Sequence, residues 1–161
     1  MFTEHEKTLL HNTLVEVANL IKRDEPLNRN DFSNDDLNVL YSLAYGLYQA
    51  GDYAQAKEIF HQLVLSKPFK KDYWMGLGAS CQLEKNYMEA LKAWSMVALL
   101  DDKDPTPHFH AAECYFSDAN PEEAFKALSA AKDRLSVSDT DLKHKINGLE
   151  AGWTKEEQQG A

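Results

Sequence analysis

The sequence predicts an all-α fold in which three helix-turn-helix repeats stack side by side. Two observations lead to it: the chain resembles itself after a shift of 34 residues, and apolar residues between the repeated turns follow helical spacing. Alanine recurs at that interval, at Ala56, Ala90 and Ala124. A small residue at a fixed point lets two helices cross closely, because a larger side chain would push them apart.

Other side chains superpose under the same shift. They form the sets Leu43, Leu77 and Ala111; Tyr53, Tyr87 and Pro121; and Phe60, Trp94 and Leu128. A period of 34 residues in helix-turn-helix units is typical of the tetratricopeptide repeat, which stacks as a right-handed superhelix with a concave binding face. We therefore predict three repeats within residues 33–138, at 37–70, 71–104 and 105–138. A binding surface is expected rather than an active site.

The segment before the repeats, residues 1–32, is predicted to hold one amphipathic helix and a linker. Leu10, Leu14, Val17 and Ile21 share one helical face, and the polar stretch 28–31 is turn-prone. Ser33 is then expected to cap the next helix in a capping box with Asp36, three residues later.

Residues 139–161 are predicted to form a C-terminal capping helix with a frayed tail. Leu142, Ile146, Leu149 and Trp153 have helical spacing, and the polar tail begins at Thr154. An atypical terminal helix is the usual cover for the apolar end of a repeat stack.

Within the repeats, the turns and the core can be assigned to residues. Gly51 is expected to take positive φ in the first turn, and Asn86 is the residue best suited to a left-handed conformation in the second. The core of the first helix is predicted at four apolar positions, namely Leu40, Leu43, Ala44 and Leu47.

Composition narrows the class of partner. With 17 basic and 26 acidic residues, the net charge of −9 disfavours nucleic acid and anionic membranes. The sequence contains no apolar run long enough to span a membrane and does not begin with a signal-peptide pattern, so a cytosolic location is expected. Cys81 and Cys114 fall within first helices of their repeats, where we expect buried thiols rather than a disulfide.

No catalytic residue, metal site or cofactor is predicted. The six histidines lie on different elements, and His108 and His110 are two residues apart on one helix, so they face different directions. The run Gly76–Gly78 lies inside a repeat helix, where its glycines serve close packing rather than phosphate binding.

The concave face is the predicted binding site. Repeat positions 2, 5, 9 and 12 of each first helix point into it. The candidates are Asn38, Tyr41, Tyr45, Tyr48, Met75, Ala79, Gln82, Phe109, Glu113 and Phe116. Such aromatic and adaptable side chains suit an extended apolar peptide. The alternative is that the tyrosine stripe belongs to the core. A carboxylate clamp is disfavoured, because it needs Lys and Asn where this chain has Tyr41 and Tyr45.

Three blocks of sequence carry a resemblance to a known family. Residues 40–53, 75–79 and 109–114 are similar to class II type III secretion chaperones, the translocator chaperones of the LcrH/SycD-like tetratricopeptide family. The similarity covers roughly residues 33–150, and its most specific block is 104–115. The segment 25–32 departs from the family, because it is more charged than the Gly-rich stretch of many relatives.

The resemblance implies a non-enzymatic bacterial protein of the cytoplasm that binds one or two hydrophobic translocator proteins. Its groove would hold an extended translocator segment with spaced proline and leucine residues and keep the translocator soluble and competent for secretion. Family members form homodimers without the client, and some act with a transcription activator. His61 and Leu65 are candidates for a dimer interface, although they could equally cover the next repeat.

A second interpretation is a tetratricopeptide scaffold that joins two folded partner proteins. Genomic context distinguishes the two interpretations: neighbouring genes for proteins with long apolar segments favour the chaperone, and an isolated gene favours the scaffold.

Overall fold

The computed structural model describes residues 4–22 and 32–160, and these two ranges contain helices and no strand. The helices are α1 (Glu4–Lys22), α2 (Asn34–Gln49), α3 (Tyr53–Ser66), α4 (Lys71–Leu83), α5 (Tyr87–Leu100), α6 (Thr106–Ser117), α7 (Pro121–Lys132) and α8 (Thr140–Gly160). Each of the pairs α2–α3, α4–α5 and α6–α7 packs together, and each pair packs on the next. The predicted all-α repeat fold is confirmed.

The first repeat begins at the predicted capping box. The main-chain N–H of Ser33 donates to Asp36 Oδ2 over 2.9 Å, and the main-chain N–H of Asp36 donates to Ser33 Oγ over 3.2 Å. The hydrogen bonds from Ser33 lower the pKa of Asp36. Together these bonds satisfy two N–H groups that a helix start leaves unpaired. The linker predicted at 28–31 lies outside the described residues.

The turn inside each repeat contains one residue with positive φ, always at the same repeat position. These residues are Gly51 at 84°, Lys85 at 64° and Ala119 at 57°. The prediction for Asn86 is wrong: its φ is −87°, and its side chain caps α5 by accepting from the N–H of Glu89. An asparagine next to the turn is needed as a cap, so the left-handed conformation falls on the residue before it.

Glycine at the two non-glycine turn positions should stabilise the protein. The left-handed conformation destabilises a residue with a Cβ by about 1–2 kcal/mol relative to glycine. Glycine loses more backbone entropy on folding, which offsets about 0.5–1 kcal/mol of the gain from the substitution. We expect Lys85→Gly and Ala119→Gly each to raise the free energy of unfolding by about 0.5–1 kcal/mol. Urea unfolding monitored by circular dichroism measures this, with Gly51→Ala as a control that should destabilise. A loss of stability in both glycine variants would contradict the assignment of strain to these turns.

Aromatic rings from the second helices pack directly against glycines of α4. A Cβ built on Gly76 would lie 2.2 Å from the ring of Phe60, and one built on Gly78 would lie 2.9 Å from the ring of Trp94. Phe60 and Trp94 are almost completely buried. The two glycines therefore permit a close approach of helices, as the sequence predicts.

The N-terminal end of the stack is open within the described part of the chain. Leu43 is 51% exposed, whereas Leu77 and Ala111, at the same repeat position, are 7% and 6% exposed. The prediction that Leu43 belongs to the core is wrong, although Ala44 is fully buried and Leu40 packs against the core. The reason is that no earlier repeat covers α2 among the described residues.

Helix α1 packs on α5, in the second repeat, rather than on the adjacent α2. Leu9 of α1 is buried, and the ring of His5 meets the ring of Tyr115 edge-on with 5.5 Å between centroids. Helix α5 is consequently buried around most of its circumference, including Leu91 and Ser95. The N-terminal helix is thus part of the repeat core.

Helix α8 covers the C-terminal end of the stack. Ile146 is fully buried, and Trp153 stacks on Phe116 of α6 with 4.2 Å between ring centroids and 7° between planes. A salt bridge of 2.5 Å from Lys132 to Glu150 joins α7 to α8. Helix α8 continues past Thr154 to Gly160, since residues 155–159 all favour helix, and the fraying of this tail stays a prediction.

No helix in the described ranges combines the length and the apolar composition that crossing a membrane would require.

Candidate functional site

The first helices of the three repeats lie next to one another and form one surface. The rings of Tyr41 on α2 and Tyr73 on α4 are 5.7 Å apart, and Gln82 on α4 donates to Glu113 on α6 over 2.9 Å. We call the face presented by repeat positions 2, 5, 9 and 12 of α2, α4 and α6 the groove. These contacts fix the spacing of its three helices.

The ten predicted binding residues differ in exposure. Asn38 is exposed and Tyr45 is 52% exposed, whereas Phe109 is buried, with 5% exposure. The half-buried members are Tyr41, Tyr48, Met75, Ala79, Gln82, Glu113 and Phe116. Nine of the ten therefore present part of their side chain to solvent, and their role in binding stays a prediction.

The tyrosines of α2 are divided between packing and exposure. The ring of Tyr41 meets Phe60 edge-on at 5.9 Å, and Tyr48 meets Tyr53 at 5.5 Å. Burial, and then the carboxylate of Asp72, raise the pKa of Tyr41, so its hydroxyl remains a neutral donor. The alternative of a core role applies in part to Tyr41 and Tyr48, because both pack against the core. Tyr45 offers the most open aromatic surface of the stripe.

A polar cluster of four side chains crosses the groove from α4 to α6. The indole N–H of Trp94 donates to Gln82 Oε1 over 3.1 Å, and Gln82 Nε2 donates to Glu113 Oε2. His110 Nδ1 lies 2.9 Å from the same carboxylate oxygen, and its ring stacks on Trp94 at 4.6 Å. Glu113 is thus held in one position by two neighbours.

The sequence predicts Gln82 and Glu113 as groove residues, but it does not predict Trp94 and His110. Two signals could have found them. A buried indole N–H needs an acceptor, which directs attention to polar residues near Trp94. His110 lies three residues before Glu113 on one helix, and side chains at positions i and i+3 are neighbours on a helix surface.

A pocket of about 390 Å³ lies where the groove meets α8. Its apolar walls include Phe109 and Leu142, and His110 lies between the pocket and Glu113. Asp141 and Lys145 line the pocket from α8. The sequence assigned α8 only to capping, whereas the structure makes it a wall of this pocket.

The two thiols are buried and free of each other. Cys81 and Cys114 have no disulfide, and burial raises the pKa of each to about 12. Only a minute fraction of either is thiolate at neutral pH, which makes both poor nucleophiles. In the described ranges, no group of three or more histidine, cysteine or carboxylate side chains could hold a metal ion.

The candidate dimer residues lie on α3, outside the groove. His61 is exposed and Leu65 is half-buried.

Two family models match the chain, and both describe the tetratricopeptide repeat. They cover residues 38–67 and 72–104, which correspond to α2–α3 and α4–α5. The fold and the groove thus define the class as a tetratricopeptide-repeat protein.

Individual relatives specify the family further. Low calcium response locus protein H of Yersinia pestis is 36% identical over 107 residues, which is 66% of this chain and 64% of that protein. The translocator chaperone SycD of Yersinia enterocolitica is 33% identical with a TM-score of 0.72, both in an alternative dimer and in complex with a peptide of the translocator YopD. The two matches cover 80% and 79% of this chain and 99% of SycD.

A further structure is PcrH of Pseudomonas aeruginosa in complex with the chaperone binding region of PopD. It is 30% identical with a TM-score of 0.72, and the match covers 78% of this chain and 96% of PcrH. The chain belongs to the family of type III secretion translocator chaperones. The match to low calcium response locus protein H spans slightly less than two thirds of that relative's length.

Proposed function

We propose that this chain is a cytoplasmic chaperone of a bacterial type III secretion system. It binds an extended apolar segment of one or two hydrophobic translocator proteins and keeps them soluble and competent for secretion. The observation that carries the proposal is the groove, in which the half-exposed Tyr45 adjoins the partly packed Tyr41 and Tyr48. The complexes of SycD with a YopD peptide and of PcrH with a PopD region support it.

The energetics of such binding are favourable without an energy source. A segment that buries about 400 Å² of apolar surface gains about 10 kcal/mol at 25 cal/mol per Å². Ordering the segment and immobilising two molecules takes back part of that gain, and a remainder of about 8 kcal/mol corresponds to a micromolar affinity. An apolar segment held in this way is no longer available for aggregation.

The proposal assigns roles to residues on two surfaces. The ten groove residues, with Tyr41, Met75 and Phe109 among them, contact the client. His61 and Leu65 on α3 contribute to a homodimer that exists before the client binds, and the alternative dimer of SycD supports a dimeric state. The family resemblance also implies a transcription activator as a partner, which would be additional to the client.

Affinity purification of the tagged chain from its native cytosol tests the proposal. We expect a near-stoichiometric partner with long apolar segments, identified by mass spectrometry. An untagged strain controls for proteins that adhere to the resin. Recovery of only soluble, folded partners would contradict the chaperone function and favour the scaffold that joins two proteins.

A further inference from the structure

We infer that the third-repeat end of the groove selects client segments in which a lysine or arginine accompanies an apolar side chain. The apolar side chain enters the pocket between α6 and α8, and the basic side chain pairs with Glu113. The inference rests on the proposed function, because it specifies which segment the groove holds.

Glu113 is a prearranged acceptor rather than a mobile surface carboxylate. Its Oε2 atom accepts from Gln82 over 2.9 Å and lies 2.9 Å from His110 Nδ1. Its Oε1 atom makes no hydrogen bond in the described ranges, and the side chain is 30% exposed. Because two neighbours already hold the carboxylate, a cation that binds Oε1 does not need to order it, which lowers the entropic cost of pairing.

The pocket provides the apolar half of the recognition. Phe109 and Leu142 form its two apolar walls, and its other lining residues are polar or charged. A volume of about 390 Å³ is within the range of small ligand sites. His110 lines the pocket and also contacts Glu113, so one residue adjoins both features. Residues i and i+2 of an extended segment point to the same side at about 7 Å spacing. Such a segment can place one side chain in each feature.

The charges around this end of the groove are complementary to a cation. Glu113 and the pocket lining together carry three carboxylates, those of Glu113, Asp139 and Asp141, and one ammonium group, that of Lys145. The carboxylate of Asp139 also accepts hydrogen bonds from Ser136. None of the ten groove candidates is a lysine or an arginine. A surface with this excess of negative charge favours a basic side chain and repels an acidic one.

A peptide library tests the inference directly. It consists of twelve-residue synthetic peptides with proline and leucine at fixed positions, and each other position in turn carries lysine, norleucine or glutamate. We expect the full chain to bind lysine about five- to tenfold more tightly than norleucine at one position, measured by fluorescence anisotropy. Glutamate at that position should bind more weakly than norleucine.

The variant Glu113→Gln should abolish the preference for lysine, so that the lysine and norleucine peptides bind this variant with affinities within about twofold of each other. Glu58→Gln is the matched control, because it removes an exposed carboxylate of α3 and should leave the preference unchanged. If Glu113→Gln does not fold, the wild-type preference still reports the pairing, since it should shrink as sodium chloride rises from about 0.05 M to about 0.5 M.

Each remaining outcome counts against the inference. Binding without a preference for lysine would overturn it and leave the proposed function standing. The same applies if Glu113→Gln retains the preference or if the preference does not respond to salt. A wild-type chain that binds no peptide of the library, while its native client co-purifies, would also overturn it. Failure of both peptide binding and client capture would contradict the proposed function itself.

Discussion

Replacing Gly76 by alanine should lower the free energy of unfolding by about 2–3 kcal/mol. The new Cβ would lie 2.2 Å from the ring of Phe60, which is 1% exposed and has no room to retreat. The helix propensity of alanine contributes about 1 kcal/mol in the opposite direction, which is too little to compensate for overpacking. Chemical denaturation followed by circular dichroism measures the difference.

Gly148→Ala is the matched control for this substitution. Gly148 is also a helical glycine, but a Cβ built there meets no atom within 4 Å. The same change should therefore stabilise the protein by about 1 kcal/mol. Opposite signs in the two variants would show that the contact with Phe60 decides the outcome. Equal effects would contradict the close packing between the first and second repeats.

Tyr45→Asp should reduce client affinity about a hundredfold and leave the fold intact. Tyr45 is 52% exposed, so the substitution removes little core packing. In the complex it would remove an apolar ring and bury a carboxylate, with an expected combined loss of about 3 kcal/mol. The measurement is the amount of client that remains soluble when the two proteins are expressed together, followed by titration calorimetry with the purified client.

Two further variants make this result specific. Phe69→Asp places the same carboxylate on an aromatic side chain that is 78% exposed and outside the groove, and it should retain the client. Tyr45→Phe should also retain most of the affinity, because the ring rather than the hydroxyl supplies the buried surface. A client that binds Tyr45→Asp as tightly as the wild type would show that the groove is elsewhere.

Tyr41 is less suitable for such a test, and the reason separates what the sequence could predict from what it could not. Repeat positions 5 and 9 assign Tyr41 and Tyr45 to the same face of the first helix, and the two residues lie four positions apart on α2. The sequence does not show that the Tyr41 ring lies 5.9 Å from Phe60 and so contributes to stability as well. Position in a repeat is a local property, whereas the depth of a side chain depends on its neighbours in space.

The helices and the capping box were predictable because they depend on residues close in sequence. The burial pattern of α2 was not, because it depends on where α1 lies. Leu43 has the sequence pattern of a core residue and is 51% exposed, since α1 packs on α5 instead of α2. The stacking of Phe116 on Trp153 was also beyond prediction, because it depends on where α8 lies relative to α6.

The site shows the same division. Gln82 and Glu113 follow from repeat positions, whereas the indole of Trp94 reaches Gln82 from a second helix, across a gap that Gly78 leaves open. Only the path of the chain in space brings these groups together. The need of a buried indole N–H for an acceptor is predictable from the sequence, whereas the identity of that acceptor is not.

The docking of α1 on α5 changes how the array can come apart. In a linear array of repeats, each unit is held only by its neighbours, and the terminal units detach first. In this chain, α1 precedes the first repeat and packs on α5, and α4 follows the first repeat and belongs to the second. Both ends of the first repeat are therefore attached to the second repeat. If α2 and α3 open, they remain a closed loop with anchored ends, so the entropy they gain is smaller than that of a free terminus. The end of the stack that exposes Leu43 is therefore tethered in the manner of an internal loop.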